Sequence, residues 1–124
     1  MANLWAVRGA TTIPKDDVTE ILNSTEELLL ELIEINDMRF ADIVSIIFTV
    51  TQDIISEFPA VAARKIGLSD TPLICTQEIP KPGSLPLCIR VLIHFYTDLQ
   101  KSEIRSAYLH EAVNLRPDLR KSQD

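Results

Sequence analysis

Glycine is scarce in this sequence, at three in 124 residues, and aromatic side chains make up only 6%. No Gly-rich phosphate loop of the G-x-x-x-x-G-K or G-x-G-x-x-G kind occurs, nor does a G-x-S-x-G nucleophile elbow. Cysteine is limited to Cys75 and Cys88, which form no C-x-x-C pair and have no histidine at ligand spacing, so they read as reduced thiols. His94 and His110 are the only histidines, too few and too dispersed for a metal centre. Positive charge is short as well: 12 Lys and Arg against 18 Asp and Glu leave a formal net charge of −6. Nucleic acid or an anionic membrane needs clustered cations, so neither is an expected partner. The segment MANLWAVRGATT has no basic start and no apolar run of signal-peptide length, and no run approaches the roughly 20 residues of a membrane span. The expectation is a soluble, cytoplasmic protein.

What is present describes a packed domain. A hydrophobic fraction of 46% with 24% charged residues is ordinary for a globular chain, and the length fits one domain, residues 1–116, with a polar tail at 117–124. Leu4–Ala10 reads as a strand, punctuated by Thr11-Thr12-Ile13-Pro14. From Val18 the period changes. Ile21, Leu22, Leu28, Leu29, Leu32 and Ile33 recur at three- and four-residue intervals, with Glu20, Glu26, Glu27, Glu31 and Glu34 opposite, which predicts an amphipathic helix ending near Asn36-Asp37.

Ile43–Val50, brief and β-branched, reads as a buried strand. A short helix over Pro59–Ile66 should stop at Gly67, and Leu73–Gln77 should be a strand. The three prolines of Pro80–Pro86 demand a loop before the longest strand, Leu87–Tyr96. A last helix is predicted over Ser102–Leu109 with Ser102 as its cap, then a short strand over Glu111–Leu115. The order β-α-β-α-β-β-α-β gives an α/β fold, a mixed sheet with helices on one side. Its other face should find a partner subunit.

Arg90 is the most pointed residue. Its permanent charge sits inside the apolar run CIRVLIHF, where burial without a partner costs several kcal/mol. Either it pairs with a carboxylate of the protein, Glu78 being the nearest candidate, or it waits for an anionic ligand. Arg8 ends the first strand beside Gly9, Arg64 falls in the short helix and Arg116 precedes the tail; each alone is an ordinary rim charge. Cys75 and Tyr108 alone read as packing residues, and His94 as a hydrogen-bonded structural residue. Cations and hydrogen-bonding groups without a nucleophile fit electrostatic catalysis, and fit a plain anion-binding module equally well.

Arg8-Gly9-Ala10-Thr11-Thr12, Phe58-Pro59-Ala60, Cys75-Thr76-Gln77-Glu78, Cys88-Ile89-Arg90-Val91, Tyr108-Leu109 and Leu115-Arg116-Pro117-Asp118-Leu119 run nearly end to end. In order and spacing this set resembles the AroH-class monofunctional chorismate mutases. The resemblance implies a pseudo α/β barrel assembled as a homotrimer, with helices outside the sheets and active sites between subunits. It also implies a cofactor-independent isomerase, with no metal, converting chorismate to prephenate on the way to phenylalanine and tyrosine.

By matching position, Arg90 stabilises the ether oxygen, Arg8 grips a carboxylate, Glu78 accepts from the ring hydroxyl with Cys75 as a weaker partner, and Tyr108 bonds the side-chain carboxylate. Phe58 walls the cleft, Arg64 and Arg116 attract the dianion, and Ile74, Thr76 and Leu115 line it. Where the family often has Lys after Phe58-Pro59-Ala60, this chain has Val61, which should weaken substrate capture more than chemistry. The alternative is a trimeric imine-hydrolysing or carboxylate-binding protein of the YjgF/RidA type.

Overall fold

A computed structural model of the chain describes residues 2–115. Its strands are β1 (Asn3–Thr12), β2 (Ile43–Val50), β3 (Leu73–Gln77), β4 (Cys88–Thr97) and β5 (Ala107–Tyr108), and its helices are α1 (Val18–Ile35) and α2 (Ala60–Lys65). The strands form one mixed sheet in the order β3-β2-β4-β1-β5. The central ladders are antiparallel, with β4 paired to β1 from Asn3↔Thr97 to Thr12↔Cys88 and to β2 on its other side. The outer pairs, β2 with β3 and β1 with β5, are parallel.

Alternation along the strands separates two faces. Val7 on β1, Ile46 and Phe48 on β2, and Val91, Ile93 and Phe95 on β4 are buried beneath the helices, together with Leu28, Leu29 and Leu32 of α1. Full burial of each such Leu, Ile or Phe contributes about 1.5–3 kcal/mol, so this layer holds the fold. Asp17 starts α1 by accepting from the Glu20 amide at 3.0 Å. Gly67, at φ 116°, ends α2.

The opposite face carries Arg8, Ser45, Ile47, Thr49, Arg90, Leu92 and His94, all outside the main core. Its outer parts remain apolar and open, with Leu4, Tyr96 and Ile74 about half exposed. His94 is occupied there, with Nδ1 at 3.2 Å from Ser45 Oγ. No described helix is long and apolar enough to cross a membrane.

The first three-quarters of the chain follows the sequence expectation, with strand ends shifted slightly; β1 runs on through Thr12. The C-terminal quarter does not. In place of a helix over Ser102–Leu109, a single 3-10 turn spans Lys101–Glu103, capped by Gln100 and not by Ser102, and the backbone then extends into β5. Tyr108 is therefore a strand residue, and the predicted strand over Glu111–Leu115 is a 3-10 turn over His110–Asn114.

The cause is long-range. The side chain of the fully buried Asn36 donates to the Arg105 carbonyl at 2.9 Å and accepts from the Arg105 amide at 2.8 Å, acting as a substitute strand partner. Gly9 completes the docking, since a Cβ there would stand 3.0 Å from the Ala107 carbonyl oxygen and 2.8 Å from Leu32 Cδ1.

Candidate active site

Register brings two of the expected arginines, Arg8 and Arg90, together. Arg90 lies opposite Ala10 on β1 and opposite Thr49 on β2, while Arg8 lies one same-face step along β1 from Ala10. Tyr108, opposite Ala10 on the other side, joins them through β5. Arg8, Gly9, Ala10, Arg90, Val91 and Tyr108 line a depression of about 50 Å³. The Arg8 Nη2 group approaches the Tyr108 hydroxyl at 3.5 Å, a long contact that a better acceptor would replace.

Glu78 arrives from the far side of the sheet. Its amide extends the β2–β3 ladder by donating to the Val50 carbonyl at 2.8 Å. Its Oε2 accepts from Thr49 Oγ1 at 2.5 Å and lies 3.3 Å from Arg90 Nε. The ion pair is thus real, but its angle is poor: Arg90 Nε is buried and makes no hydrogen bond. The charge of the arginine is met by Glu78 while its Nε donor remains unspent. Thr49 has no counterpart among the sequence candidates. The only advance sign of it was its place on the polar phase of β2, and a threonine in a strand is too common to single out.

A second group sits elsewhere. Cys75 pairs with Phe48 in the ladder and packs against the helix-side core, so it shares neither face nor partner with Glu78. Within one chain the two lie on opposite faces of the sheet. Burial pushes the Cys75 thiol above its usual range, opposed by the Ala60 backbone and the Arg64 charge, which places Arg64 of α2 beside it. Phe58, 65% exposed, lines a cleft of about 310 Å³ with Ile55, Cys75 and Thr76. Ile74 points to the open face at 59% exposure. Leu115 packs near Tyr108 over Ala10 and Cys88, whereas Arg116 lies outside the described residues. Val61 is half-buried on α2.

The candidates therefore form two sets: Arg8, Arg90, Glu78 and Tyr108 on the open face, and Phe58, Arg64 and Cys75 at the helix-side edge. The family model for chorismate mutase type I matches residues 4–119. The chain belongs to that family. Among chorismate mutase relatives, the AroH protein of Thermus thermophilus is 47% identical over 118 residues, covering 94% of this chain and 97% of its own length. The AroH protein of Bacillus subtilis (strain 168) is 41% identical over 114 residues, covering 91% and 90%. The solved chorismate mutase from Clostridium thermocellum superposes with a TM-score of 0.86 at 49% identity, covering 87% of this chain and 96% of that one. The C-terminal β5 segment of this type I chorismate mutase chain falls within the matched region, as do both sets of candidates.

Proposed function

We propose that the chain isomerises chorismate to prephenate at a site assembled from the open face of one copy and the helix-side edge of another, in a cyclic trimer. The observation that carries the reading is the convergence of Arg8, Arg90, Glu78 and Tyr108 on one sheet face of a type I family member. Their division from Phe58, Arg64 and Cys75 supports the assembly, because one sheet cannot present both faces to one ligand. The imine-hydrolysing alternative has no comparable observation in its favour.

The rearrangement breaks an ether C–O bond as a C–C bond forms, within one molecule, so neither a proton nor an electron needs to be supplied. Negative charge grows on the ether oxygen in the transition state. Arg90, whose buried Nε lacks a hydrogen-bond partner, meets that charge where it develops, and a nearly neutral ground-state oxygen gains less. Glu78, fixed by Thr49, accepts from the ring hydroxyl. Arg8 exchanges its long contact with Tyr108 for a substrate carboxylate, and both hold the compact conformer. An acceleration of about 10⁶ needs about 8 kcal/mol, so Arg90 contributes a large share but not the whole.

The test follows chorismate loss by its ultraviolet absorbance and identifies prephenate as product. Arg90→Ala should reduce kcat at least about 10²-fold with native circular dichroism, in the range of lost transition-state donors. Failure of the pure wild-type protein to form prephenate would sink the reading.

A further inference from the structure

The loop 51–58, between β2 and α2, borders two clefts. Thr51, Gln52 and Asp53 share one of about 300 Å³ with Glu78, while Ile54 to Phe58 line the one containing Cys75 and Thr76. Little apolar burial holds this loop. Ile54 is buried, but Ile55 is 83% exposed and Phe58 stands out at the cleft edge. Carboxylates hold it instead. Asp16, in the turn between β1 and α1, accepts from the Ile55 and Ser56 amides through one oxygen, Oδ1, each at 3.1 Å. Ser56 Oγ returns a bond to the Asp16 carbonyl at 3.3 Å.

Asp53 ties the near end of the loop, accepting from the Leu87 amide at 3.0 Å and from Thr51 Oγ1. Leu87 in turn accepts from the Ile13 amide at 3.0 Å, so the turn that carries Asp16 and the entry to β4 are joined by the same network. Asp17 next door is committed to the α1 cap and to Lys15, while Asp16 makes no ion pair among the described residues. Its two backbone acceptances are its described role.

We propose that Asp16 is a positioning residue that fixes the 54–58 loop and thereby sets where Phe58 stands as the wall of the cleft. The inference rests on the mutase reading, because only a bound substrate makes that wall functional. Freed from Asp16, the loop samples other positions, and apparent affinity falls by the fraction of time spent in the competent one.

Asp16→Ala should raise KM for chorismate about fivefold, for a competent fraction near one-fifth, with kcat within about twofold of wild type. Asp16→Asn, which keeps an acceptor oxygen, should restore KM. In a Phe58→Ala background the Asp16→Ala change should leave KM within about twofold of the single variant, since coupled residues are not additive. Equal KM increases in both backgrounds, or no increase in the first, would overturn the proposal. Amide exchange supplies a reading independent of catalysis: in Asp16→Ala the 54–58 amides should exchange about tenfold faster, while those of β4 stay protected. Unchanged exchange refutes the role of Asp16 even if the wild type proves inactive; faster exchange with an inactive wild type refutes only the functional part. Should Asp16→Ala not fold, Asp16→Glu, which displaces the carboxylate by one methylene, carries the same expectations.

Discussion

Arg90 shows how a single side chain can be legible and still be misjudged. A guanidinium inside CIRVLIHF announced itself, and the choice between internal pairing and a waiting ligand looked exclusive. The structure joins the two, because a 3.3 Å contact with Glu78 compensates the charge without satisfying the Nε donor. Gly9 is a position where backbone and side chains approach too closely for a Cβ. Gly9→Ala should lower stability by about 1–3 kcal/mol through overpacking against Leu28, Leu32 and the Ala107 carbonyl, measurable as a lower urea midpoint at unchanged m-value. The thiols offer a second residue-scale test. Burial raises both Cys75 and Cys88 above the usual 9.0, for Cys88 against the lowering effect of Arg90. Unfolded chains then lose these protons first, the unfolded state binds fewer protons, and stability falls as pH climbs through 9.0 toward the folded values. Urea titrations at neutral pH and on the alkaline side should show that decline, and Cys88→Ala should reduce it.

At the scale of elements, periodicity identified α1 and β2 because each satisfies its local pattern and its burial together. The segment after Gln100 satisfied neither alone. KSEIRSAYLH has helical composition, and its extended course depends on Asn36, a residue 69 positions away that no local window includes. The same holds for Asp16 and Thr49, whose partners are distant in sequence. Asn36→Ala leaves the Arg105 amide and carbonyl without their partners, a loss of about 1–3 kcal/mol for two part-buried hydrogen bonds. The β5 amides should then exchange faster than those of β2, and KM should rise as Tyr108 loses its placement. A variant with wild-type exchange over residues 105–108 would show that β1 pairing alone secures the strand.

On the whole-molecule scale, the net charge of −6 proved uninformative about the ligand, because Arg8 and Arg90 are gathered by strand register and not by sequence proximity. The proposed two-copy site has a direct check. Arg90→Ala removes the open-face cation, and Phe58→Asp damages the exposed helix-side wall; each should be inactive alone. Refolded together in equal amounts, about a quarter of the sites combine two intact halves, so about a quarter of wild-type activity should return. A site confined to one chain would return none.

The pairing of β1 with β4 also governs when the molecule can come into being. The first of the five strands in chain order has as its main neighbour the fourth, with most of the chain between them. Until β4 emerges, Asn3–Thr12 has no strand to pair with, and its open edges are exposed to any similar strand nearby. Closing that ladder makes productive folding a late, nonlocal event, and a nascent chain that stalls before Cys88 is left with its first strand as its greatest hazard.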